Sequence, residues 1–269
     1  MLQARLGMSQ RRACRAVGQP RSTQRYRPPR PDPDAQLRGW LRQFSTERPR
    51  WGYRRAHAQA RAAGYAVNRK KIQRLWREEG LRVPTHRRKR VRLGTSTVPA
   101  ERRSAQYPNQ VWAADFQFDT TADGRLFKIC NLVDEHTREA LACYVARSID
   151  ADATVNILEA VAAGRGYPQF IRCDNGPELT AYAIRDWWRT TGAGTVYIDP
   201  GALWQNPWVE SFNARLRDEL LAVEQFNSIL QAKVLVDWRI DYNHNRAHSS
   251  LGYLTPATYA ATWSNPKLS

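Results

Sequence analysis

Asp115 stands in the middle of an apolar, strand-like run, VWAADFQFD (111–119). A carboxylate so placed costs stability unless it is paired, hydrogen-bonded or bound to a cation. The fold must therefore bring polar groups to it, or leave its strand at a sheet edge where it reaches water. A second apolar run, QFIRCD (169–174), ends on Asp174 and is followed at once by Asn-Gly-Pro-Glu. Glu210 lies 36 positions further on, in WVESFNARLRDEL (208–220), which has helical periodicity. Two carboxylates on strands and a third on a helix can converge on a pair of divalent cations. Such ions activate a water or a sugar hydroxyl for in-line attack on phosphate.

Charge points to a polyanionic partner. The 269 residues carry a formal net charge of +17, with a pI near 10.3. Residues 1–110 hold 28 Lys and Arg against 6 Asp and Glu, whereas residues 111–269 hold 14 against 19. The first stretch reads as a grip on phosphates and the second as an acid-centred catalytic domain. The cysteines Cys14, Cys130, Cys143 and Cys173 form no CxxC pair and read as reduced core residues of a cytoplasmic protein. His244 and His248 have helical spacing but no accompanying cysteine pair, which argues against zinc. The sequence has no apolar run long enough for a membrane span.

Four regions follow from the pattern. Residues 1–47 form a short basic helical region, with Ser9 and Ser22 as candidate caps and a helix over 35–47. Residues 48–82 read as a helix-turn-helix module, its first helix stopping at Gly64 and its second capped by Asn68. In that second helix Ile72, Leu75 and Trp76 face inward. Arg69, Lys70, Gln73, Arg74 and Arg77 remain outside as candidate DNA contacts. Residues 83–108 form a basic linker, and 109–262 a core with C-terminal helices. In the core, strands at 110–118, 126–133, 139–146, 169–173 and 195–198 alternate with helices after the third strand. That order predicts a ribonuclease-H-like α/β fold: a mixed five-stranded sheet flanked by helices. On the helix from about 206 to 224, Val209, Phe212, Leu216, Leu220 and Val223 form the expected buried stripe. Asn206, Glu210, Asn213 and Arg217 share another face, and Asn213 and Arg217 are candidate phosphate or sugar contacts. Asp134, at a strand end, is the best rival metal ligand.

Taken together, NQVWAADF (109–116), RCDNGPEL (172–179), WVESFNARLRDELL (208–221) and DYNHNRAHSSLGYLTPATY (241–259) resemble the transposases of the IS-three family of bacterial insertion sequences, in particular their second-frame product, OrfB. WGYRR and VNRKKIQRLWREEGL (within 51–81) resemble the family's helix-turn-helix. The resemblance implies a retroviral-integrase-like core with Asp115, Asp174 and Glu210 as a metal-binding catalytic triad. It implies Mg²⁺ or Mn²⁺, as two ions, and double-stranded DNA as substrate. Water would cleave at the element ends, and the exposed 3′-OH groups would then attack target DNA without a covalent protein–DNA intermediate. It also implies a partner, an OrfA-type protein or fusion, and a homo-oligomer on DNA. Leu203, Pro207 and Ala247 depart from the usual residues at their positions. A nuclease of the same fold without joining activity, or a non-catalytic DNA-binding remnant, are the alternatives.

Overall fold

The computed structural model describes residues 7–26, 32–81, 83, 105–173, 182–197, 206–233 and 235–264. The contacts divide the chain into two compact units, 1–43 and 44–269. The first contains α1 (Gln10–Ala16), α2 (Arg21–Arg25) and most of α3 (Ala35–Glu47). The expected serine caps are not made there. Ser9 precedes α1 without a side-chain bond, and Ser22 lies inside α2, which starts after Pro20.

The second unit opens with α4 (Tyr53–Ala62) and α5 (Arg69–Glu78). Asn68 caps α5, its side chain accepting from the Lys71 amide at 2.7 Å. Ile72, Leu75 and Trp76 are buried, and the Trp76 ring meets Phe44 edge-on at 6.2 Å. This small helical layer is tied to the C-terminal helices of the same unit. Trp51 Nε1 donates to Glu219, which pairs with Arg246, while Arg48 pairs with Asp241.

The described residues form a five-stranded mixed sheet in the order β3-β2-β1-β4-β5. Its strands are β1 (Val111–Thr120), β2 (Leu126–Asp134), β3 (Ala140–Ala146), β4 (Phe170–Cys173) and β5 (Gly194–Tyr197). β1 runs antiparallel to β2 and parallel to β4, with Asp115 opposite Asn131 and Ala113 opposite Arg172. Asp115 is therefore on a central strand, not at an edge. Gly194 is required where β5 meets β4: a Cβ there would lie 2.5 Å from the Phe170 ring.

Alternation along β1 feeds two cores. Trp112 and Ala114 pack with Leu132, Ile171 and residues of α6 (Ala151–Arg165) and α7 (Tyr182–Thr191), including Leu158, Trp187 and Trp188. Asp150 caps α6 and Gly166 ends it. On the other face, Ala113, Phe127 and Val133 pack with Val209, Phe212 and Leu216 of α8 (Pro207–Leu216). Tyr242 joins them from α10 (Leu235–Asn245), which follows the short α9 (Ile229–Ala232). The chain ends its described part in α11 (Pro256–Ser264).

The α8 helix departs from the expected pattern. After Leu216 it widens into a π-helical turn, Arg217–Leu221. The extra residue per turn shifts the apolar stripe by one position. Leu221 is buried in place of Leu220, which is only partly covered, and Val223 is 48% exposed. All four cysteines are buried and free, and burial pushes the Cys130 and Cys143 thiols up to about 12. Among the described residues no helix is long and apolar enough to cross a membrane.

Candidate active site

The face of α8 opposite its contact with solvent stands over β1 at Asp115. Asn213 Nδ2 donates to Asp115 Oδ2 at 2.6 Å, and the Phe116 amide donates to Oδ1 at 2.8 Å. Glu210 is one turn earlier on that helix. Its Oε1 is buried with no hydrogen-bond partner, and burial raises its carboxyl above the ordinary range. Asn206, at the start of α8, is also buried. Its Nδ2 donates to the Ala114 carbonyl at 3.4 Å, and its Oδ1 has no partner. Pro207 at the first helical position leaves the helix intact, since the amide it lacks has no partner there. Asp174 lies outside the described residues; β4 ends at Cys173, one residue before it.

Asn213, a candidate phosphate or sugar contact by its spacing, does not lie on the surface. It is buried, and both ends of its amide are spent inside the protein. Asn131, wholly buried on β2, donates to Asn213 Oδ1 at 2.8 Å and to Gln117 Oε1 at 3.0 Å. Gln117 in turn donates to the Asn213 carbonyl at 3.0 Å. With Oδ1 committed to Asn131, the Asn213 amino group is left to face Asp115. The network fixes the rotamer of the carboxylate. The signal in the sequence was the lone Asn inside the apolar run KICNLVD (128–134), which had no assigned partner. Asn213→Ala should lower activity about 10- to 100-fold, as loss of a ligand-orienting neighbour does, and raise the divalent-metal concentration needed for half-maximal rate. An unchanged metal requirement would reduce Asn213 to a packing residue.

Arg217 is exposed and donates to the Phe118 carbonyl at 3.3 Å, so its charge remains available to a ligand. Asp134 is spent structurally: it accepts from the amides of Asn109, His136 and Thr137 and closes the β2–β3 turn. On α5, Arg69, Lys70, Arg74 and Arg77 are exposed and Gln73 half-buried. Among the described residues no three His, Cys, Asp or Glu side chains gather into a metal-binding group. The carboxylate oxygens of Asp115 on β1 and Glu210 on α8 are hard donors, of the kind that suits a divalent cation of the Mg²⁺ type.

A ribonuclease-H-like sheet with Asp115 beneath α8 and Glu210 on that helix, preceded by a helical pair, is the build of an integrase-type polynucleotidyl transferase. The comparisons agree. Residues 105–202 and 191–256 match integrase core domain families, and residues 34–89 match an HTH-like domain. An insertion element IS407 protein of Burkholderia multivorans is 38% identical over 97% of this chain and 93% of its own length. An insertion element IS476 protein of Xanthomonas euvesicatoria is 40% identical over 95% of this chain and 73% of its own. Transposase InsF of insertion sequence IS3A from Escherichia coli is 26% identical, covering 81% and 80%. A chain of the simian T-cell lymphotropic virus intasome, solved with a PP2A regulatory subunit, superposes with a TM-score of 0.53 at 15% identity, over 75% of this chain and 70% of that one. That likeness shows the shared fold. The chain belongs to the IS3-type insertion-element transposases.

Proposed function

We propose that Asp115, Asp174 and Glu210 form the catalytic centre of this transposase. The observation that carries the reading is the apposition of α8 to β1: Asn213 holds Asp115 while Glu210, three residues away on the same helix, keeps a buried oxygen with no partner. Two ions, Mg²⁺ or Mn²⁺, would be held by these three carboxylates; when bound they supply charge for the attacking and leaving oxygens of phosphate displacement. The chain's own residues prepare that site. Asn131 and Asn213 lock the Asp115 carboxylate, and the apolar stripe of α8 fixes the height of Glu210 above the sheet. The basic face of α5 and Arg217 hold DNA by its phosphates. None of the described groups is needed as a covalent nucleophile, because a terminal 3′-OH serves.

The regions 1–47, 48–82, 83–108 and 109–262 act, in this reading, as basic arm, DNA reader, linker and catalytic core. The protein works as a homo-oligomer on DNA in the bacterial nucleoid, with an OrfA-type protein or fusion supplying further contacts. The test is a joining assay on pre-cut duplex ends from the flanks of the gene, with Mg²⁺ or Mn²⁺. Strand-transfer products are expected. Hydrolysis without joining would make the chain a nuclease, and metal-independent binding alone would make it a remnant.

A further inference from the structure

Four arginines converge on the flank of α8 that faces away from Glu210. Arg55 of α4, Arg138 of the β2–β3 turn, Arg215 of α8 and Arg246 after α10 line a cavity of about 140 Å³ together with Ser211 and His248. Among the described residues only Arg246 of the four is paired with a carboxylate, Glu219, at 2.6 Å. The Nε groups of Arg55 and Arg138 and the Nε2 of His248 are buried without a hydrogen-bond partner. The Arg138 guanidinium is stacked 3.2 Å from the Trp208 ring centre, which fixes the plane of its donors. Arg138 also holds a left-handed backbone, φ 64°, that costs a non-glycine residue free energy.

The electrostatics show positive charge crowded into a poorly hydrated space. Burial and the charge of Arg246 bring Arg55 down to about 10. Burial and the surrounding guanidiniums bring His248 down to about 3, so the ring is neutral there. A second cavity, of about 260 Å³, adjoins the first through Arg55 and Ser249 and is lined by Tyr53, Arg54, Ala247 and Tyr253. Tyr253 is another non-glycine residue with left-handed backbone, φ 67°. The two cavities make a basic groove between the helix-turn-helix and the C-terminal segment.

We infer that this groove binds a DNA strand, with one backbone phosphate seated among Arg55, Arg138 and Arg215. The inference rests on the transposase reading but concerns a separate, non-catalytic contact. Trp208, Ser211 and Arg215 lie on one flank of the α8 stripe and Glu210 on the other, roughly a helix width of 10 Å apart. A phosphate held here fixes the position of a strand relative to the carboxylates; it does not react.

Arg215 is exposed, so Arg215→Ala leaves the fold intact. Binding of the full chain is measured on duplexes from the flanks of the gene, with single methylphosphonates walked along each strand. In the wild type, neutralising one or two phosphates should weaken binding. In Arg215→Ala the same neutralisations should cost nothing further, and the log–log salt slope should fall by about 0.9. Arg55→Gln should lose the same positions. An unchanged interference pattern and slope in both variants would overturn the proposal. So would stabilisation of the wild type by inorganic phosphate, lost in Arg215→Ala, with DNA binding unaltered. The readout is binding, so a chain that fails to join DNA ends still answers the question.

Discussion

Asp115→Asn and Glu210→Gln should each reduce DNA cleavage and joining by on the order of 10³-fold or more, with duplex affinity largely retained. Both substitutions preserve shape and remove one charge. Asp115→Asn can no longer present two acceptor oxygens, because half of its amide is a donor facing the Asn213 amino group. Glu210→Gln neutralises a group whose Oε1 is already buried without a partner, so the fold loses nothing and gains from a smaller desolvation cost. The sign with pH follows. The folded-state carboxyl of Glu210 is raised by burial. Without divalent cation its contribution is therefore present at low pH and lost as pH rises from the unfolded carboxyl range through the raised value. Glu210→Gln should remove that slope. Divalent cation should raise the wild-type melting temperature, as any ligand of the native state does, and raise it less in either variant. Retained cleavage in one of them would remove that residue from the centre.

How far the sequence reveals this site depends on how local each signal is. The strands of the core and the order of helices follow from periodicity, caps and glycine stops, and the sheet has the expected five strands. Asp150 and Asn68 cap as their positions predict, because a cap is set by its neighbours. The π turn was not legible, since an extra residue in one turn leaves composition unchanged and only packing shows that Leu221 replaces Leu220. The burial of Asn213 was hidden for a related reason. Its helical face was correct, but that face looks onto β1, so a polar side chain that reads as surface is buried against Asp115. The arginine groove was invisible because its members come from α4, a hairpin turn, α8 and the segment after α10. Asp174 lies outside the described residues, and its place in the centre rests on its motif and on the strand that leads to it.

Glu219→Ala should be among the most destabilising single substitutions in the second unit, costing about 3–5 kcal/mol. Glu219 sits on the π turn, and its side chain is 6% exposed. It accepts from Arg246 Nη2 at 2.6 Å and Nε at 3.2 Å, and from Trp51 Nε1 at 3.1 Å. Removing it leaves the Arg246 guanidinium, 3% exposed, buried without its carboxylate and still close to Arg55. The indole of Trp51 loses its acceptor too, which loosens the helix-turn-helix layer from the C-terminal helices. The melting temperature should drop by on the order of 10 °C. Arg246→Met in the Glu219→Ala background should restore much of the loss, because a buried pair replaced at both ends leaves no orphaned charge. Thermal unfolding of the two single variants and the double variant measures the coupling. A Glu219→Ala protein as stable as the wild type would mean that water, not Glu219, compensates Arg246, and that the two helical layers are joined mainly by apolar packing.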